Sequence, residues 1–170
     1  MYLASWFVFT LLLLGLTLAR SHPYRFSRFL AFESILSLIF LNARVWFHDP
    51  FRWYQLLSWS FLAGSLLLAG WGFTLIKTRG NPEGDFEDTT RLITTGVYRY
   101  IRHPLYSSLI TFALGAFLKS PSWAGAVLVL TTVLGAVLTA RIEEGHNLER
   151  FGEDYREYME RTSRFLPYIY

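Results

Sequence analysis

Apolar residues fall into five long runs along this chain, with the polar residues gathered between them. Tyr2–Ala19 carries no charge, and Phe29–Phe47 is interrupted by Glu33, Asn42 and Arg44. Tyr54–Ile76 is uncharged, and Leu105–Leu118 and Trp123–Ala140 flank Lys119-Ser120-Pro121-Ser122. A spanning helix needs about 20 apolar residues. The pattern therefore predicts an all-α, polytopic integral membrane protein with five transmembrane helices, over about residues 2–19, 29–47, 54–76, 104–118 and 123–140, in a single domain of residues 1–170. The fourth run is short, so the last two are expected to form a tight hairpin whose tip only just reaches the far interface. The first run lacks a basic leader, and Thr17-Leu18-Ala19-Arg20 is a poor cleavage site, so it is expected to be retained.

The connecting segments carry their own signals. Residues 77–103 contain Gly80-Asn81-Pro82-Glu83-Gly84-Asp85, a turn-forming composition. Pro104 suits the first turn of a helix, with His103 at the cap. Beyond Ala140, Leu148, Phe151, Tyr155 and Met159 recur at spacings of three and four, with charges covering the other face. This predicts an amphipathic C-terminal helix at the membrane surface within the tail, residues 141–170.

Composition agrees with this class. The 170 residues are 52% hydrophobic and 18% aromatic, and the mean hydropathy is +0.28. A soluble domain of this size is rarely so apolar. The absence of cysteine excludes thiol nucleophiles, disulfides and thiolate metal sites. The net charge of +3 is modest, and no basic stripe is interleaved with aromatics, so no nucleic-acid partner is expected. Thirteen of the 16 Lys and Arg residues lie in three regions: 20–28, the loop 77–103 and the tail. Arg44, Arg52 and Lys119 are the remainder. The bias places those three regions in the cytoplasm and the N-terminus outside.

Candidate chemistry concentrates in Gly96-Val97-Tyr98-Arg99-Tyr100-Ile101-Arg102-His103-Pro104-Leu105-Tyr106. Ionisable groups at the mouth of a membrane segment are candidates for function. His22, His48, His103 and His146 are scattered, with no helical pairing, so no metal site is expected. Glycine-rich nucleotide loops and a G-x-S-x-G elbow are also absent. Glu33 is expected in the first turn of the second span, where the helix dipole stabilises it. Arg141-Ile142-Glu143-Glu144 ends the fifth span on the same face as the Arg102–Tyr106 cluster. A carboxylate accepts hydrogen bonds from ribose hydroxyls, tyrosine faces attract a sulfonium, and Arg or His beside a helix N-terminus holds a carboxylate. The set suits S-adenosylmethionine well and other nucleotides less well.

Leu92-Ile93-Thr94-Thr95-Gly96-Val97-Tyr98, Arg102-His103-Pro104-Leu105-Tyr106, Glu143-Glu144, Phe151-Gly152-Glu153-Asp154-Tyr155 and Arg164-Phe165-Leu166-Pro167 occur in that order. Together they resemble the isoprenylcysteine carboxyl methyltransferase family, part of a wider group of membrane methyltransferases that includes phospholipid N-methyltransferases. The resemblance covers roughly the second half of the chain. It implies methyl transfer from S-adenosylmethionine, without a Rossmann domain, to a lipophilic acceptor entering from the bilayer at the cytoplasmic face. The acceptor expected first is a carboxylate of the isoprenylcysteine type. By resemblance, Leu92, Ile93, Tyr98, Arg102, His103, Pro104, Tyr106 and Glu143 contact the cofactor, while Arg141 and Glu144 engage the acceptor. Gly145-His146-Asn147 departs from the family pattern and bears on the acceptor.

Two other enzyme readings stay open at this point. One is methylation of a phospholipid amine or a small thiol, with Glu33 or Glu144 as the base. The other is a sterol-reductase-like enzyme using NADPH, since those proteins share a similar Arg-His-Pro-x-Tyr ending.

Overall fold

The computed structural model describes residues 2–19, 23–82 and 89–169. Arg20, His22 and the acidic end of the long loop from Glu83 lie outside the described residues. The fold is all-helical: α1 (Tyr2–Leu18), α2 (Arg25–Leu41), α3 (Trp53–Leu75), α4 (Pro104–Leu118), α5 (Trp123–Phe151) and α6 (Glu153–Arg161). A π-helical turn, Ile76–Gly80, extends α3, and a 3-10 turn, Gly96–Arg99, precedes α4. No strand occurs among the described residues. Isolated bridges join Pro82 to Thr89 and Ile101 to Ser163.

Two helical stretches are long and apolar enough to cross a membrane, Trp53–Gly80 and Trp123–Phe151. Leu3–Leu18 and Pro104–Leu118 are apolar but shorter. The second helix differs from its expected bounds, starting at Arg25 and stopping at Leu41 rather than running over 29–47. Asn42 ends it. Its backbone N–H still donates to the Leu38 carbonyl, while its buried side chain donates 2.8 Å away to the Ala116 carbonyl of α4. Glu33 consequently lies in the third turn of α2, away from the N-terminal dipole where the sequence had placed it.

α3 packs chiefly on α4 and α2 on α5, with α1 against α2. The α2–α5 contact requires a small residue, because a Cβ at Gly135 would lie 2.6 Å from the Ser27 backbone carbonyl oxygen. Helices that approach this closely are joined by packing and by hydroxyl bridges, and here Ser27 Oγ meets Thr139 Oγ1 at 2.8 Å.

Side chains of neighbouring helices close the tip of the α4–α5 hairpin. Lys119 is buried, 2% exposed. Its Nζ bonds Gln55 Oε1 at 3.0 Å and sits 3.4 Å from the centroid of the Trp59 ring. Ser58 and Asn42 donate to the carbonyls of Gly115 and Ala116, and Gln55 donates to that of Lys119. These bonds give the carbonyls at the end of α4 side-chain partners, so neighbouring helices rather than solvent close its end.

The expected tail helix is two helices. α5 runs without a break past Ala140 to Phe151, and Gly152, at φ 57°, turns the chain into α6. That φ favours glycine. α6 then buries Tyr155 and Tyr158, three apart on one face, while its charged residues face outward.

Candidate functional site

The loop leading into α4 is fixed from below by its own apolar residues. Ile93, Val97, Tyr98 and Ile101 pack on Leu75 and Ile76 at the end of α3. The tail then straps across from above. Arg102 and His103 donate their backbone N–H groups to the carbonyls of Ser163 and Arg164, at 2.9 and 3.1 Å. Ser107 Oγ donates to the Phe165 carbonyl at 2.8 Å. The start of α4 is thereby held between α3 and residues 163–165. Pro104 at its first position removes an N–H that no helix turn would pair.

Two adjacent acids on α5 meet this junction in different ways, because neighbouring helical residues point about 100° apart. Glu144 is buried, 4% exposed. It accepts from Arg102 Nε at 2.8 Å, from Arg164 Nη2 at 2.6 Å and from His103 Nε2 at 3.3 Å. Glu143 accepts from the Tyr106 hydroxyl and lies 3.6 Å from His103 Nδ1. His103 is thus bracketed by two carboxylates, one at each ring nitrogen.

The electrostatics follow from that bracket. Burial works to lower the pKa of His103, but the hydrogen bonds and charges of Glu143 and Glu144 outweigh it and hold the imidazole above its ordinary value. Burial likewise works to raise Glu144, yet hydrogen bonds from His103, Arg164 and Arg102 hold its carboxyl well below the usual carboxylate range. Burial, with Glu143 nearby, pushes the Tyr98 phenol up. Burial also pushes Tyr158 up, and its hydroxyl donates to the Tyr98 carbonyl at 2.7 Å. Tyr155 is pushed up to about 12, again chiefly by burial.

Above Glu143 opens a cavity of about 730 Å³, within the usual range for small-molecule sites. Leu92, Ile93, Tyr98, Arg102, His103, Pro104, Tyr106 and Glu143, the residues expected around a cofactor, all line it. Arg141 and Glu144 do not. Arg141 is exposed on α5, and Glu144 turns into the junction with Arg102 and Arg164. The α5 register directs both away from this cavity. Glu33 does not line it either, and accepts instead from Thr10 and Ser37, at 2.9 and 3.4 Å.

Sequence reasoning quoted Arg164 without foreseeing that it completes the Glu144 cluster, singled out His146 and Asn147, and missed Tyr24, Arg28 and Arg150, which join them in a second wall of the cavity. The signal was present on α5. Counting from Glu143, positions 146, 147 and 150 fall on the same helical face. Among the described residues no group of three or more potential metal ligands occurs.

Comparison with known proteins adds a family to this geometry. The chain is 38% identical over 88 residues to a probable protein-S-isoprenylcysteine O-methyltransferase of Oryza sativa subsp. indica, a match covering 49% of this chain and 44% of the rice protein. It is 34% identical over 108 residues to protein-S-isoprenylcysteine O-methyltransferase B of Arabidopsis thaliana, covering 62% and 51%. It is 31% identical over 85 residues to methanethiol S-methyltransferase 1 of Bradyrhizobium diazoefficiens, covering 46% and 27%. The chain thus spans about half or less of the length of these relatives. The family model for phospholipid methyltransferase matches residues 53–154, which take in α3, the loop, α4 and α5 and so the core of the cavity, and on that match the chain belongs to the phospholipid methyltransferase family.

Proposed function

We propose that this chain is an S-adenosylmethionine-dependent methyltransferase acting on a lipophilic acceptor at a membrane surface. One observation carries the proposal: a single cavity gathers Glu143, Tyr98, His103 and Tyr106 with the apolar Leu92, Ile93 and Pro104. That donor set fits the cofactor. Glu143 suits ribose hydroxyls, the tyrosine rings suit a sulfonium, and Leu92, Ile93 and Pro104 suit a base plane. When bound, the cofactor supplies an activated methyl group. The chain's own part is to align the acceptor and exclude water, and alignment alone is worth about 7–11 kcal/mol in well-oriented reactions. His103 and Glu144 are positioning residues in this reading: they fix the Arg102–Tyr106 segment and the side chain of Glu143.

A carboxylate of the isoprenylcysteine type is the acceptor favoured by the plant relatives. It needs no general base, because it is already anionic. The methanethiol methyltransferase relative keeps a thiol acceptor as a second reading. We also propose five spans, with the N-terminus outside and the active site and C-terminus in the cytoplasm. α5 has 29 residues, about 43 Å at 1.5 Å per residue. The hydrocarbon layer is about 30 Å thick, so the stretch beyond Ala140 emerges from it and carries Glu143 into the headgroup region.

Calorimetry of the purified protein with S-adenosylhomocysteine, and separately with NADPH, tests the reading. Binding of the former on the order of −8 kcal/mol, a micromolar affinity, is expected. Tight NADPH binding without it would assign the cavity to a reductase. Single cysteines at Glu153 and His48 in this cysteine-free chain test orientation, since only the latter should label from outside intact cells.

A further inference from the structure

Two clusters of charged and aromatic side chains line the cavity. Glu143 occupies one, beside His103 and Tyr106. At the other, α2 and α5 face each other: Tyr24, just before α2, with Arg28 and Phe32 at four-residue spacing, and His146, Glu149 and Arg150 from α5. The Arg28 guanidinium lies 5.5 Å from the centroid of the Tyr24 ring, and the Tyr24 and His146 ring centroids are 6.3 Å apart. Arg150 donates to the Thr89 carbonyl at 2.9 Å. A second recess of about 240 Å³ begins where this basic rim ends, and it shares Tyr24, Arg28 and Phe32 with the main cavity. Apart from Arg25 and Thr17, it continues between α1 and α2 along Leu13, Leu16 and Phe29. A basic rim that opens into an apolar recess matches an amphiphile with an anionic head and a hydrocarbon tail.

We propose that Arg28, assisted by His146 and Arg150, is the anion-recognition site for the acceptor, with the α1–α2 recess taking the acceptor's chain. The proposal rests on the methyltransferase reading and deepens it. It moves to α2 the role that the sequence had suggested for Arg141. The charge layout supports it: the methyl donor is a cation and belongs by Glu143, so an anionic acceptor on the Arg28 side approaches from the far side of the methyl group. The acceptor's carboxylate oxygen forms the new bond to the methyl carbon as the sulfur–methyl bond breaks. The electron pair stays on sulfur, no proton moves, and a neutral ester and a neutral thioether result. The ester has lost the charge that Arg28 holds, so the same contact that selects the substrate favours release of the product.

The test uses the full chain in lipid nanodiscs, with N-acetyl-S-farnesylcysteine as the anionic acceptor and dodecanethiol as the neutral one. Binding of S-adenosylhomocysteine is followed by calorimetry. Arg28→Gln is expected to raise KM for the carboxylate by about tenfold to a hundredfold, the weight of one hydrogen bond to a charged group. The kcat for that acceptor, KM for the thiol and S-adenosylhomocysteine affinity should be unchanged. Arg28→Lys should recover part of the loss, and the methyl ester of the carboxylate should not inhibit. An equal loss with the thiol would overturn the proposal in favour of a packing role. An equal loss of S-adenosylhomocysteine affinity would overturn it too, assigning the rim to the cofactor's own carboxylate. Wild-type protein that binds S-adenosylhomocysteine but does not methylate the carboxylate also refutes it. Wild-type protein that fails to bind S-adenosylhomocysteine refutes the methyltransferase reading instead.

Discussion

Replacing Glu144 by Gln separates a positioning role from a catalytic one. Glu144 faces two guanidinium groups and the His103 ring, with side chains of Arg102, Arg164 and His103 only 8%, 13% and 6% exposed. Gln keeps the shape but removes the negative charge, leaving two guanidinium groups together at low exposure. Breaking a buried pair by neutralising one partner costs about 3–5 kcal/mol. At about 2–4 °C per kcal/mol for a chain of this size, that becomes a fall in Tm of roughly 6–20 °C. Thermal unfolding in detergent, followed by circular dichroism, reads the shift. S-adenosylhomocysteine affinity measured well below Tm should fall much less, since Glu144 does not line the cavity. Arg164→Gln should destabilise in the same direction, and the double variant should cost less than the sum of the two, because each then removes a charge the other no longer opposes. If Glu144→Gln leaves Tm unchanged and abolishes turnover with the acceptor, Glu144 touches substrate and the positioning argument is wrong.

Further outcomes follow from the same geometry. Glu143→Gln should weaken S-adenosylhomocysteine binding by about tenfold to a hundredfold by calorimetry, with Tm little changed, since Glu143 faces the cavity rather than the Arg102–Arg164 cluster. The raised pKa of His103 stabilises the fold fully below the ordinary imidazole value of 6.5, and that contribution is lost as pH rises through the folded-state value. Tm should therefore decline on the alkaline side of 6.5, and His103→Gln should flatten that decline. Glu144 acts in the opposite sense: its contribution is present above the ordinary carboxyl value of 4.5 and is lost only in strong acid. Gly135→Val should lower Tm, because its Cβ would sit 2.6 Å from the Ser27 carbonyl oxygen and force α2 from α5, an overpacking cost of about 1–3 kcal/mol. Normal stability of that variant would show that the two helices do not pack as closely as described.

What the sequence could reveal depended on how far apart the cooperating residues lie along the chain. α4 begins at Pro104 and ends at Leu118, as the proline signal and the apolar run foretold. α3 starts one residue before its expected position. Both are bounded by local chemistry that a short window contains. α2 defeated the same reasoning because Asn42 ends it through a bond to Ala116, 74 residues away. Lys119 looked like an interfacial loop charge because nothing nearby in sequence announces Gln55 and Trp59 as its partners.

The functional residues divide in the same way. Seven of the eight residues expected at the cofactor fall within 92–106 and needed only one distant partner, Glu143, to complete the set. The opposing basic wall has no such compact motif. It arises only when Arg28 on α2 and His146 and Arg150 on α5 are brought across one cavity by the close α2–α5 approach at Gly135. That contrast has a chemical origin. In the proposed reading, one donor structure would impose its demands on a short stretch of backbone and rings, whereas an acceptor that differs among relatives would be met by side chains from whichever helices border its path. The departure at Gly145-His146-Asn147 is therefore where acceptor choice should register. His146 stands there on the face that looks toward Arg28, and a relative with a long aliphatic residue at this position should lose the Tyr24–His146 ring contact that borders the anion site.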